Sequence, residues 1–347
     1  MSLAPTGSAQ LGNLRYESQL LSVWCHLGLL PAVNRARVVL PADVRFEAGP
    51  GDPAELTLDG GDGAGSGGSA TVLTGQVLAV RRSHRTIEAV IGDAGRQLAT
   101  SRPALTFTGQ DGAAVIRALV GGAGAELSAA GPDLPLAVYV AHQGRTAAEH
   151  VAALAELAGG FAVVEADGRL AVRPRPTGPA DLALLWGREL VRYEVHHSPP
   201  GPAQPVAVGF GPAGSTSEPG VLRPSHDALS NGAADPGPDA LWEPSPVLRV
   251  PAAVKTATEA AAARSAASGT RLTATCFLLP AVRAGAVVEV QQVPDGLAGG
   301  PWLVTGITHQ LRPDGGGSSV ITAETAGAAA AAGGLLSSLV GAVGGLL

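Results

Sequence analysis

The string Gly63-Ala64-Gly65-Ser66-Gly67-Gly68 has the GxGxxG spacing that cradles a dinucleotide pyrophosphate. That chemistry needs a strand before the glycines, a helix opening after them, and an acidic residue about 20 positions on. Here a β-like run, Thr71 to Val80, follows, and the string reads as a glycine-rich loop. Eight histidines raise the question of a metal. His196 and His197 lie in or beside a strand, which sends their rings to opposite faces. His142 and His150 are separated by a turn and a helix start, and His26, His84, His226 and His309 are isolated. There is no HExxH string and no CxxC pair, the spacings that zinc sites favour. The carboxylates Asp59 and Asp62 sit in a Gly-rich loop without the spacing of a calcium loop. Cys25 and Cys276 each occupy an apolar run, which points to two buried free thiols and a reducing compartment. No nucleophile elbow and no Walker A string is present. We expect no catalytic, cofactor-binding or metal-binding residues, and a protein that is not an enzyme.

The elements around these residues are mostly strands. The chain has 347 residues, 46% of them apolar but only 3% aromatic, with 48 Gly and 27 Pro. That inventory favours a β-rich fold with many turns. Alternating patterns mark strands at 34–40, 54–58, 70–82 and 86–91, with a loop over 59–69. Asp111 can cap a short helix that carries Val115, Ile116 and Leu119 and stops at Gly121-Gly122. Thr146 and Glu149 form a capping box for a helix over 146–158, with Val151, Leu154 and Leu157 on its apolar face. A hairpin follows, turning at Asp167-Gly168. Residues 211–246 are rich in Pro, Gly, Ser and Asp and read as a long surface loop. A helix over 252–267 and strands at 271–279, 286–292, 302–311 and 319–324 complete the pattern.

The net charge of −6 and the scattered arginines argue against nucleic-acid binding. The first residues lack a basic segment followed by an apolar one, so synthesis and folding in the cytoplasm are expected. Residues 326–347 carry no charge. Their length could span a bilayer, which takes about 20 residues, but no Lys, Arg, Trp or Tyr anchors them. Leu336, Leu339, Val343 and Leu346 are spaced three, four, three, as in the seam of a parallel helical bundle. An apolar C-terminal helix packed within an assembly is the preferred reading; a membrane-active or a disordered tail is the alternative.

Several strings, taken in order, resemble the phage late control D family, the hub proteins of contractile tails related to the first part of the valine-glycine-repeat spikes of type VI secretion. They are Leu73-Thr74-Gly75-Gln76-Val77, Ile91-Gly92-Asp93 through Leu98, and Gln143 followed by Glu149 to Ala155 and Gly159-Gly160-Phe161. Gly168-Arg169-Leu170, Gly285 to Val290 and Trp302 to His309 continue the series, which spans about 34–325. His150-Val151 departs from the family's aromatic–Leu pair, and no spike repeat follows the hub part.

The resemblance implies a mainly β (α+β) fold of two tail-tube-like β-barrel domains with a small α/β insertion. The expected order is an arm over 1–12, a first barrel over 13–105, the insertion over 106–180, a second barrel over 181–325 and the apolar segment 326–347. It further implies a structural baseplate hub of a contractile injection system or phage tail, a homotrimer adapting the sixfold tail tube to the threefold spike. Its partners would be the tail tube protein, a separate spike protein and baseplate wedge proteins, within a phage tail-like particle assembled in the cytoplasm. The alternatives are a spike-associated effector or membrane-inserting component using the apolar segment, and a cell-wall-degrading tail enzyme.

Overall fold

Successive side chains of a strand point to opposite faces, so apolar–polar alternation buries one face and leaves the other in water. The computed structural model describes residues 4–61, 68–131, 133–198, 205–208, 210–212, 222–224, 241–294 and 300–326. From the N-terminus come β1 (Thr6–Leu11), β2 (Leu14–Tyr16), β3 (Ser22–Gly28), β4 (Arg35–Pro41), β5 (Pro53–Asp59), β6 (Ser69–Arg82) and β7 (Thr86–Gly92). Next are α1 (Ala94–Thr100), β8 (Leu105–Asp111), α2 (Gly112–Gly122), β9 (Leu127–Ala130), β10 (Pro135–Ala141), α3 (Ala147–Leu157), β11 (Gly160–Val164) and β12 (Leu170–Pro174). The C-terminal part has β13 (Leu182–Leu185), β14 (Leu190–His197), β15 (Pro205–Val208), β16 (Phe210–Pro212), β17 (Leu222–Pro224) and β18 (Leu241–Pro244). It ends with α4 (Pro251–Ser268), β19 (Thr270–Phe277), β20 (Val287–Gln291), β21 (Trp302–Leu311) and β22 (Gly317–Thr325).

One sheet holds 13 of these strands, in the order β14-β19-β22-β21-β3-β4-β7-β6-β5-β1-β2, with β20 and β13 branching from β21. The two expected barrels are therefore corrected: the N- and C-terminal β regions are one sheet, and it does not close. They are joined by the antiparallel β3–β21 ladder, from Val23↔Leu311 to Gly28↔Gly306. Within the C-terminal part, Trp186, just past β13, makes an isolated bridge to Leu190 at the start of β14, and no ladder joins the two strands. One core lies under both regions: Val23, Val38 and Ile91 share it with Leu272, Val304 and Ile321. The start of the chain is docked: β1 pairs with β5 and buries Ala9 and Leu11.

The insertion has its own core. β8 pairs with β10, and β12 pairs with β11 on one side and, in parallel, with β9 on the other. Leu98, Val115, Leu119, Val151 and Leu154 pack together, and α4 adds Ala253, Val254 and Ala257 to the same cluster. Both predicted caps form. Asp111 Oδ1 accepts from Ala114 N at 2.6 Å. In the capping box, Thr146 N donates to Glu149 Oε2 at 2.7 Å and Glu149 N donates to Thr146 Oγ1 at 3.2 Å. Each satisfies an N–H that a helix start otherwise leaves open. Most of 211–246, and all of Leu336, Leu339, Val343 and Leu346 of the expected apolar helix, lie outside the described residues. Among the described residues no helix is long and apolar enough to cross a membrane.

Candidate assembly surface

Most of the residues singled out for chemistry that the structure describes are parts of the scaffold; His226 lies outside the described residues. Gly68 leads into a strand, β6, with no helix to receive a phosphate; Gly63 to Gly67 and Asp62 lie outside the described residues. Asp59 closes a turn by accepting from Gly61 N at 2.9 Å. Cys25 and Cys276 are buried and free, and burial pushes both thiols up to about 12, so neither is a thiolate nucleophile at neutral pH. His196 and His197 make separate contacts, with Ser198 and Thr270. Among the described residues, no group of three or more His, Cys, Asp or Glu side chains could hold a metal ion.

His142 and His150, apart in sequence, do meet, with ring centroids 5.2 Å apart. His150 Nδ1 faces the Tyr139 hydroxyl at 2.8 Å and Nε2 faces His142 O at 3.1 Å. The carbonyl can only accept, so His150 carries its proton on Nε2 and accepts the Tyr139 O–H on Nδ1. Burial holds its pKa below the ordinary value. The ring is a buried tie between β10 and α3.

A second polar row crosses the buried face of the sheet. Strand register places Cys25 opposite His309, His309 opposite Ser319, and Ser319 opposite Cys276. His309 Nδ1 lies 2.9 Å from Ser319 Oγ, and Leu279 N donates to that same oxygen at 2.9 Å. Ser319 Oγ is thus shared between Leu279 N and the His309 ring, whose pKa burial lowers to about 3. His309, the last residue of the Trp302 string, serves here as a neutral structural link between β21 and β22.

The other strings meet where the sheet joins the insertion. β6 is long because it serves two partners: its 76–82 half pairs with β7 and its 69–76 half with β5. Gly75 sits at the changeover. A Cβ there would fall 2.1 Å from Gly92 O and 2.8 Å from Asp93 Cα. The glycine lets two backbones approach as no other residue would. Asp93 caps α1, accepting from Gly95 N at 2.9 Å and from Asn34 Nδ2 at 2.6 Å, while Asn34 Oδ1 accepts from Gly28 N at 2.8 Å. This chain of bonds ties β3 to α1. Burial raises the Asp93 carboxyl to about 6, against the pull of its hydrogen bonds and of Arg283. Arg283 is fixed by donating to Thr71 O and Val72 O. Gly285, at φ +88°, has Phe161 where a side chain would go, which locks the insertion's hairpin against the C-terminal strands.

The opposite face of the sheet is covered in part by the insertion, where Leu303 is buried with Phe161 and Val163, and is uncovered elsewhere. Two neighbouring rows run across it unbroken. One is Phe277–Ser318–Gln310–Trp24–Arg37 and the other is Arg192–Thr275–Val320–Thr308–His26–Arg35. Neither contains a carboxylate. Trp24 is 38% exposed and stacks on His26, and Phe277 is 49% exposed. Four strands lie on each side of the β3–β21 ladder before β6 turns away: β14, β19, β22 and β21 on one side, β3, β4, β7 and β6 on the other.

No family model and no curated protein matches the sequence. Solved structures do match. A tail protein from Neisseria meningitidis MC58 superposes with a TM-score of 0.64 at 17% identity, over 93% of this chain and 96% of that one. The 43 kDa tail protein of prophage MuSo2 from Shewanella oneidensis gives 0.63 at 16%, over 93% and 98%. An Escherichia coli component of the type VI secretion system, described as similar to the bacteriophage T4 tail proteins gp27 and gp5, gives 0.57 at 11%, over 88% and 73%. The chain has the fold of these phage tail and type VI secretion proteins, consistent with its resemblance to the late control D family.

Proposed function

We propose that this chain is a structural hub subunit in the baseplate of a contractile tail or injection system. It acts as a homotrimer, between a sixfold tail tube and a threefold spike carried by a separate protein. One observation supports the reading: in a single 13-stranded sheet, the four strands nearest the β3–β21 ladder on one side (β21, β22, β19, β14) are matched by four on the other (β3, β4, β7, β6). Three such chains present six similar half-sheets around one axis, which suits a sixfold tube, while keeping the threefold symmetry a spike needs. The tail roles of the structural neighbours point the same way. The reading is of assembly, not catalysis: the thiols are buried and protonated, and His150 and His309 are engaged in the scaffold. In it, tube and wedge proteins contact the outer surfaces within a particle assembled in the cytoplasm. The segment 326–347 packs against its copies through Leu336, Leu339, Val343 and Leu346, close to the axis.

The solution mass of the full chain, measured by light scattering beside a 1–325 chain, tests this. The reading expects a mass near three times 34.4 kDa for the full chain and a smaller one for the shortened chain. A trimer that survives the deletion unchanged removes the tail from the contact. Monomers of the full chain, even with purified tube and spike proteins added, contradict the hub.

A further inference from the structure

The open rows of the sheet carry a chemistry that sequence order hides. Arg35 and Arg37 stand on β4, and Arg192 stands on β14. Register brings them to one face, at the two ends of rows that contain no acidic residue themselves, with Glu194 in the row next to Arg192 and Glu88 in the row next to Arg37. We propose that this face is a docking track for an extended acidic segment of a partner polypeptide. It stands on the single chain and does not require the trimer.

Dimensions, charge and side-chain type support that occupant. From β14 to β4 the rows cross five strand spacings, about 24 Å at about 4.8 Å each. An extended segment of about seven residues spans that distance at about 3.3 Å per residue. Carboxylates at its two ends meet Arg192 at one side and the Arg35–Arg37 pair at the other, where planar guanidinium groups can bind them bidentately. Arg37 has one carboxylate near it, Glu88 of the adjacent row at 3.7 Å, and its side chain keeps 55% of its exposure. Between the charged ends lie hydroxyls, a glutamine and the exposed Trp24, a type of residue that with Arg dominates binding hot spots. The composition disfavours a nucleic acid. Three arginines on this strip are fewer than the 6–10 phosphate contacts that a tight duplex binder makes.

The test uses the full chain and a labelled random copolymer of glutamate and tyrosine, read by fluorescence anisotropy. Polylysine and a single-stranded oligonucleotide are measured alongside. The expected result is binding of the copolymer that weakens with added salt. It should fall about tenfold or more, at least about 1.4 kcal/mol, in the Arg35→Glu/Arg37→Glu chain. Arg192→Glu should weaken it as well. Arg45→Glu, at an exposed arginine paired with Glu47, should leave it unchanged. Urea midpoints equal to the wild type show that the variants fold. No binding of the copolymer, equal binding by the Arg35→Glu/Arg37→Glu chain, or tighter binding of the oligonucleotide overturns the proposal.

Discussion

Replacing Gly75 with alanine tests the junction between sheet and insertion. The added Cβ would sit 2.1 Å from Gly92 O and 2.8 Å from Asp93 Cα, both backbone atoms that no rotamer change can move. Ordinary contact begins near 3.4 Å, so β6 and β7 must separate by about 1 Å or more. That shift pulls on Asp93, whose bonds to Asn34 and Gly95 are 2.6 and 2.9 Å long. Overpacking costs about 1–3 kcal/mol, and a buried hydrogen bond broken on one side costs about 1–3 kcal/mol more. Alanine returns about 0.4–1 kcal/mol by restricting the unfolded chain. The net expectation is a loss of about 1–5.6 kcal/mol. Gly121, on the exposed side of α2 with open space around its would-be Cβ, is the internal control. There the same substitution should stabilise by about 0.5–1 kcal/mol, through helix propensity alone. Urea denaturation followed by circular dichroism reads both. An unchanged midpoint for Gly75→Ala, or the same sign for the two variants, refutes the close-approach argument.

Two further substitutions probe the buried polar groups. The Asp93 carboxyl is raised from 3.8 to about 6, so its protonated form favours folding. That contribution is complete below about 3.8 and lost as the pH rises through about 6. The stability difference between wild type and Asp93→Asn should therefore change by up to about 1.4 kcal/mol per pH unit across that window. A constant difference across it would contradict the buried carboxyl. Ser319→Ala removes the acceptor of Leu279 N and the hydrogen-bond partner of His309 Nδ1, and should cost about 1–3 kcal/mol for each group orphaned. A urea midpoint equal to the wild type would show that the row contributes nothing.

Local signals in the sequence were readable because their physics is local. The box of Thr146 and Glu149, the Asp111 cap and the strand over 302–311 stand where the residue types place them. The docked β1 was harder to see: its Thr-Gly-Ser-Ala-Gln-Leu run has few β-branched or aromatic residues, and β5 supplies its pairing. Helix α1 buries only Gly95 and Leu98, so it has no apolar stripe to betray it. The joining of two expected barrels into one sheet depends on a ladder in which His26 bonds Thr308, 282 residues away. Nothing in either strand's composition announces that partner. The same holds for the candidate surface. Arg35, Arg37 and Arg192 are scattered in sequence, and strand register alone gathers them on one face. The resemblance strings were legible as strings, but their meaning as close contacts, Gly75 on the Gly92 backbone and Gly285 on the Phe161 ring, appears only in three dimensions.

In the proposed hub, one continuous sheet per chain, taken three times, makes a ring of six similar units. End-on electron-microscopy averages of the purified full chain, alone and with its tube protein, measure this directly. Rings of threefold symmetry with six peripheral densities are expected. Rings of another order, or particles of a single chain under both conditions, would contradict the hub.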